Sequence, residues 1–411
     1  MGNRSAGGAV RDTLMYDGKP QKKTLPMHIG FDISQTGSGK AGCGFFAHAM
    51  IRSMLELAPE HHYSLFPSFG DFWFDAAMPA RNPYPGKRVN YGPSHYKLKN
   101  ARQFWTGSDI ERSLGNPDIV HANNFWCPLQ LATSRLVYTF YDMGFVVEPS
   151  WTTETNRVNC FEGVYRSSVT ADWVVAISEA SRNHYLNIFP YFPEERIRVV
   201  YPCSRFDNGD ALGVRPKAIK DIPAGAYWLN VGTIEPRKNQ RMLVRAYARY
   251  LQRGGLPMPL VLAGGMGWLM DDFQKQLCDL GIADYVVMTG YVSDEELIWL
   301  YRNCYANLYP SLFEGFGLPV LEGMQHGAPT LASKTTSIPE VAGEAALLLD
   351  PEMHEVWTEA MFILSENQEY RTQLSAVAQE QAEKFHRKHG AASLLNLYGE
   401  AVASPKRKTM E

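Results

Sequence analysis

The 411-residue sequence contains no apolar run approaching the 18 or more residues of a membrane-spanning helix, which argues against an integral membrane protein. Its first 24 residues are polar and Gly-rich without an apolar core, so they read as a loose arm and not as a secretory signal. Cysteine is sparse. Cys43, Cys127, Cys160, Cys203, Cys278 and Cys304 lie far apart with no C-x-x-C pair, the pattern of reduced thiols in a cytoplasmic protein and not of a zinc site or disulfide framework. An excess of one charge is also missing. Forty basic against 43 acidic side chains give a net of −3, which disfavours a nucleic-acid-coating protein. Asp-x-Asp, a common holder of a catalytic cation, occurs nowhere.

What is present is core-forming material. Hydrophobic residues make up 45% and aromatics 12%, enough to exclude global disorder and to fill two large domains or three small ones. Short β-rich runs alternate with helical stretches. Met27–Ile33, Tyr63–Pro67, Ile119–His121, Leu136–Phe140, Trp173–Ile177 and Arg196–Tyr201 read as strands, and Phe45 to Ala58 as a helix with Phe46, Met50 and Met54 at helical spacing. Ser204 to Ala226 has the profile of a linker. The alternation then restarts, with strands expected at Trp228–Val231, Pro259–Ala263, Val286–Met288, Ala306–Tyr309, Thr330–Ala332 and Ala346–Leu349. Helices are expected at Asn239–Arg253 and Asp294–Arg302, with Trp357, Met361 and Leu364 on one later helical face, residues 366–400 continuing helically, and a frayed tail at Lys406–Lys408.

This order predicts an α/β protein of two doubly wound, Rossmann-like halves, with ligands meeting outside the carboxyl ends of the strands in a cleft between them. The expected divisions are an arm (1–24), an N-terminal Rossmann-like domain (25–205), a linker and hinge (206–226), a C-terminal Rossmann-like domain (227–385), and a final helix and tail (386–411) returning to the first domain.

Three loops carry chemistry. Gly37, Gly39 and Gly42 satisfy G-x-G-x-x-G between a strand and a helix, which suggests a dinucleotide site, but the only nearby acid for a ribose is Asp71. A P-loop would need Gly at Ser34 and Ser/Thr at Ala41. A ligand-free turn, a dinucleotide site, and a loop touching a donor held by the other half all stay open. Gly232-Thr233-Ile234-Glu235-Pro236-Arg237-Lys238-Asn239 follows the first strand of the second half and sets two cations at a helix entrance, where Arg can grip phosphate bidentately and Lys supplies a point charge. Tyr309 to Glu322 runs from a strand end through Glu314 to Gly317, Leu318 and Pro319. A helix beginning there offers amides to an anion, with Glu322 about one turn in, placed to accept two ribose hydroxyls, and Glu314 placed to reach the sugar.

Glu314-Gly-Phe-Gly-Leu-Pro-x-x-Glu322 resembles the signature of retaining nucleotide-sugar glycosyltransferases of family 4, which have the GT-B fold. The likeness extends over most of the chain. Gly232–Asn239 is similar to the family's phosphate-binding turn, with Lys238 in the usual lysine's place. Thr289-Gly290-Tyr291-Val292-Ser293-Asp294-Glu295-Glu296-Leu297 is similar to the segment that flanks the base, and Gly44 stands in the loop that backs onto the donor phosphate. Two departures stand out. Thr233 replaces a frequent Arg, which shifts the phosphate-gripping role to Arg237, and Tyr141-Asp142 replaces a His-Asp pair, which leaves Tyr141, Asp142 or His121 to approach the sugar.

The resemblance implies transfer with retention from a UDP- or GDP-linked sugar, with Arg237, Lys238 and the Gly317–Leu318 amides in place of a metal and no separate cofactor. The Glu-Pro-Arg-Lys-Asn variant resembles bacterial mannosyltransferases of surface polysaccharide synthesis. It points to GDP-mannose and to a glycan or lipid-linked acceptor, with no nucleic-acid partner. The aromatic run 69–74 with Lys87, Arg88, Lys97, Lys99 and Arg102 suits a membrane surface, at its inner face, or an anionic carrier, and equally a packed loop beside an ordinary solvated face. A nicotinamide-dependent oxidoreductase built on Gly37–Gly42 and an inactive sugar-nucleotide-binding module are the competing expectations.

Overall fold

The computed structural model describes residues 25–34, 36–37, 42–66, 83–92, 103–123, 126–128, 131–206 and 212–408. The arm 1–24, Gly39 and its neighbours 38–41, Asp71, the aromatic run 69–74, Lys97, Lys99 and Arg102 lie outside the described residues. By its contacts the chain divides into two compact units. Among the described residues, unit 1 takes those in 25–147, 153–203 and 385–408, and unit 2 takes those in 148–152 and 204–384.

Among the described residues, unit 1 is built on a seven-stranded sheet in the order β3-β2-β1-β4-β5-β6-β7. Its strands are β1 (His28–Asp32), β2 (His62–Phe66), β3 (Val89–Tyr91), β4 (Ile119–Ala122), β5 (Arg135–Phe140), β6 (Trp173–Ala176) and β7 (Ile197–Val199). All neighbours pair in parallel. β4, β5 and β6 read as near-continuous apolar runs because helices cover both faces of such a sheet. The pattern reading missed β3, a three-residue edge strand with no buried side chain and hence no hydrophobic signal.

The helical continuation expected over 366–400 is present as two helices, Gln368–Glu383 and Arg387–Ala403, separated where buried Phe385 turns its ring onto Tyr201. Gly390 then lets the last helix approach unit 1 closely, since a Cβ there would lie 2.9 Å from the Tyr201 carbonyl and 3.1 Å from Met50 Cε. The tail is not frayed over Lys406 and Arg407. Lys406 Nζ donates to the Leu131 and Ser134 carbonyls, and Arg407 donates through its amide to Asp172 and through its guanidinium to Ala171 and Ser168 carbonyls while lying over the Phe192 ring. Most of these partners are backbone carbonyls, which leave no trace in residue-type patterns.

Unit 2 holds a six-stranded parallel sheet in the order β10-β9-β8-β11-β12-β13. Its strands are β8 (Trp228–Val231), β9 (Leu260–Ala263), β10 (Val286–Gly290), β11 (Ala306–Tyr309), β12 (Thr330–Ser333) and β13 (Leu347–Leu349). One face carries a core around Trp228, Tyr247, Phe273 and Trp357, and the other carries Tyr227, Leu229, Leu300 and Tyr301. Residues 212–226, expected as a linker, belong to unit 2. The Val214 amide donates to the Glu295 carbonyl, the Gly225 amide donates to the Asn303 carbonyl, and Arg215 lies over the Trp299 ring. No helix among the described residues is long and apolar enough to cross a membrane.

The chain order reverses between β8 and β11, so the loops leaving these adjacent strands diverge to opposite faces of the sheet. That switch point is where a doubly wound sheet opens a ligand crevice. The two loops are Gly232–Asn239 and Pro310–Gly317.

Candidate active site

The turn after β8 is shaped by close backbone approach. Gly232 has φ +143°, and Gly264, after β9, has φ +155° with its Cβ position only 2.2 Å from the Gly232 carbonyl oxygen. Neither conformation suits a residue with a side chain. Pro236–Lys238 forms a single 3-10 turn, and Asn239, at φ +60°, ends it and opens the helix Gln240–Gln252. The Asn239 side chain donates to the carbonyls of Pro310 (3.2 Å) and Pro351 (2.7 Å), fastening this turn to the β11 loop. Thr233 is exposed, and its carbonyl accepts from Gln240 Nε2.

Arg237, Lys238 and Glu314, singled out separately in the sequence, form one ion cluster. Lys238 Nζ lies 2.6 Å from Glu314 Oε1 and donates to the Tyr309 hydroxyl at 2.8 Å. Arg237 Nη1 lies 3.0 Å from Glu314 Oε2 and 2.8 Å from the Phe313 carbonyl. Ser311 Oγ and Tyr309 OH complete the shell of Glu314 at 2.6 and 2.8 Å. Glu314 is 7% exposed. Burial alone would raise its carboxyl, but the Lys238 and Arg237 charges outweigh burial and hold it at about 2.

Glu235 completes the cluster and had no sequence signal beyond its place in the turn. It is buried, and it accepts from Arg237 Nη2 at 2.9 Å. Two cations thus face two carboxylates with no net charge. The lysine keeps spare capacity. An ammonium has three N–H groups, and Lys238 uses only two of them among the described residues.

Three residues past Glu314, Gly317 takes φ +101° as the N-cap of the helix Leu318–Gln325, with Pro319 in its first turn. A Cβ at Gly317 would lie 2.4 Å from Ile338 Cδ1. The first amides of this helix have no intrahelical partner and carry the positive end of its dipole.

Glu322, expected to accept two ribose hydroxyls, is covered by Arg205. It is fully buried, Arg205 Nε donates to Oε1 at 2.7 Å and Tyr301 OH donates to Oε2 at 3.2 Å. Arg205 had no motif to mark it. Tyr291 is 83% exposed, on the turn after β10.

In unit 1, Gly44 is buried in the first turn of the helix Gly42–Leu57. Tyr141, just past β5, is half-buried. Its hydroxyl donates to Asn123 Oδ1 at 3.0 Å and contacts the Cys43 carbonyl at 3.3 Å, and burial keeps it protonated. Asp142 accepts from the Gly144 amide at 2.9 Å, starting the short helix Gly144–Val147. His184 was not expected here. Burial lowers its pKa, and the nearby Asp142 carboxylate opposes that only in part.

His121 is corrected. It is fully buried in β4, its two ring nitrogens engage Tyr398 OH (2.5 Å) and Thr139 Oγ1 (2.6 Å), and its ring packs on Phe31. It stays neutral, because burial pushes its pKa down to about 3. The unfolded chain binds a proton here between its ordinary 6.5 and about 3, and the folded chain does not. This group's contribution is therefore complete above about pH 6.5 and lost progressively as the pH falls toward about 3. His121→Phe is expected to cost about 2 kcal/mol by thermal unfolding, through the lost partners of Thr139 and Tyr398, and to leave the turnover of the folded protein unchanged. A turnover loss of tenfold or more would return His121 to the chemistry.

All six cysteines are free thiols, and among the described residues no group of three or more His, Cys, Asp or Glu is placed to hold a metal ion.

Comparison with known proteins follows the same two units. Residues 218–381 match the model of glycosyl transferases group 1, and residues 56–203 match that of glycosyltransferase family 4. The chain is similar to O-antigen chain mannosyltransferase B of Escherichia coli, 32% identical over 73% of this chain and 78% of the relative. It is also similar to the serotype-specific mannosyltransferase WbdA of Escherichia coli, 26% identical over 90% of this chain but only 46% of that longer protein. In fold it is similar to Anabaena HepE, solved with UDP and glucose (TM-score 0.65, 17% identity, 90% of this chain and 98% of that one). A further fold relative is a sucrose-phosphate synthase of Thermosynechococcus elongatus (TM-score 0.67, 16% identity, 92% and 99%). Two parallel Rossmann-like sheets, the Glu314–Glu322 loop and these matches together show that the chain belongs to the group 1 glycosyltransferases of family 4, hexosyltransferases of the GT-B fold.

Proposed function

We propose that this chain transfers mannose from GDP-mannose, with retention and without a metal ion, to a glycan or lipid-linked acceptor in surface polysaccharide synthesis, working on the cytoplasmic side of the membrane. The donor and the setting are supported by the O-antigen mannosyltransferase that the chain resembles. The observation that carries the chemistry is the third N–H of Lys238, held rigid by Glu314 and Tyr309 at the switch point of the unit 2 sheet. A β-phosphate oxygen takes that N–H, with Arg237 beside it and the amides of the Gly317–Leu318 helix start supplying further positive potential.

As transfer proceeds, the bond from the anomeric carbon to the phosphate oxygen breaks and its electron pair moves onto the diphosphate. The acceptor oxygen bonds to the same face of that carbon, and the acceptor proton passes to the departing phosphate. Glu314 and Glu235 fix the two cations before the charge develops, so little reorganisation accompanies the step.

The test is radiolabelled transfer from GDP-mannose, compared with UDP-glucose and UDP-galactose, in excess EDTA. Expected are at least tenfold faster transfer from GDP-mannose, an α-linked product by NMR, and no loss of rate on chelation. Activity that appears only with Mg²⁺ or Mn²⁺ would overturn the metal-free reading, and binding of GDP-mannose without transfer would make the chain a binding module.

A further inference from the structure

Arg205 is a charged side chain that the mechanism above does not use, and it is committed to the residue on which the ribose reading depends. Its Nε lies 2.7 Å from Glu322 Oε1, its Nη1 lies 3.6 Å from Asp294 Oδ1, and its side chain is 20% exposed over a carboxylate that is wholly buried. Glu322 has no other cationic partner among the described residues, only the Tyr301 hydroxyl on its second oxygen. A buried carboxylate left without a cation takes up a proton instead of staying charged.

We propose that Arg205 is a positioning residue for the nucleotide ribose: it keeps Glu322 an anion, and it fixes the plane of the carboxylate that accepts the ribose diol. This rests on the reading of Glu322 as the ribose acceptor. Arg205 and Tyr301 take one lone pair on each oxygen and leave one on each, the pattern a vicinal diol needs. Since Arg205 covers the carboxylate, the ribose reaches it as the guanidinium slides along the oxygen, and Asp294 is the acid nearest to receive the displaced charge.

Burial pushes the Glu322 carboxyl up, and Arg205 is the main group opposing that. The surroundings supply no substitute. The helix Asp294–Asn303 contributes Tyr301, the anion Asp294 and, in its last turn, Arg302, whose charge acts on His326 and forms no ion pair with Glu322 among the described residues. On its own helix the neighbour is His326, whose Nδ1 contacts the Glu322 carbonyl and whose pKa burial lowers. The helix Gln368–Glu383 brings neutral Ser375 and Gln379 near Gly327, and the helix Ile338–Ala342 carries the acid Glu340.

The probe is the affinity ratio of GDP to 2′,3′-dideoxy-GDP, read by calorimetry between about pH 6 and about pH 8, the range an unpaired buried carboxyl crosses. In the wild type the ratio is expected at about tenfold or more, the cost of leaving polar groups unpaired, and flat across that range. In Arg205→Ala, or in Arg205→Gln if the alanine variant does not fold, it should approach unity near pH 6 and recover toward pH 8. Arg205→Lys should restore the flat profile. A flat, wild-type ratio in Arg205→Ala or Arg205→Gln overturns the assignment of Arg205. Glu322→Gln separates the two ideas, because a wild-type ratio there would sink the ribose reading itself, whatever Arg205 does.

Discussion

Gly264→Ala is expected to cost about 3 kcal/mol or more and to abolish transfer, although Gly264 would touch no substrate. Its Cβ position is 2.2 Å from the Gly232 carbonyl oxygen and 2.6 Å from the carbonyl carbon, and its φ of +155° is one that a side-chain-bearing residue resists. Both neighbours are backbone, so relief requires the Gly232–Thr233 turn to move, and Arg237 and Lys238 hang from that turn. For a unit of this size the loss corresponds to a fall of roughly 6–12 °C in Tm. Gly265→Ala is the matched control. No atom lies within 4 Å of its Cβ position, so a change within about 0.5 kcal/mol is expected. Equal losses in the two variants, followed by thermal unfolding, would refute the close-approach explanation.

Much of the fold was legible because parallel strands buried on both faces are short apolar runs, and β8, β9 and β11 were readable residue for residue or nearly so. What escaped the sequence lacked that signal. β3 is an edge, and the Lys406–Arg407 strap is held mostly by carbonyls.

The site divided similarly. The Arg237–Lys238 turn and the Glu314–Glu322 loop were visible as local chemistry next to strand ends. Pairing is not local. Nothing in spacing foretold that Glu314 would lie between both cations, that Glu235 would fix Arg237 from beneath, or that Arg205, 117 positions before Glu322, would cover its carboxylate. His121 misled for the same reason, since a strand-end histidine looks alike whether it faces a ligand or, as here, a tyrosine 277 residues away.

Lys238→Met carries the other large effect. The substitution preserves most of the side chain's bulk and removes the charge. Glu314, buried, keeps Arg237, Tyr309 and Ser311 but loses its shortest cationic contact, so its carboxyl should rise from about 2. Breaking a buried pair from one side costs about 3 kcal/mol. The catalytic loss should be larger in proportion. One preorganised donor aimed at developing charge is worth about 10²–10³ in kcat, and transfer from GDP-mannose should fall by that amount. Arginine should not rescue it, because a planar fork cannot place one N–H where an ammonium does.

The sharpest single measurement is the calorimetric titration of GDP into the wild type and into Lys238→Met, with both proteins in excess EDTA and shown to be folded by circular dichroism. The expected result is saturable binding by the wild type with every divalent cation removed, and at least a tenfold weaker affinity in the variant. Binding by the wild type only after Mn²⁺ or Mg²⁺ is restored, or equal affinities in the two proteins, would contradict the claim that fixed protein charge at Lys238 receives the diphosphate.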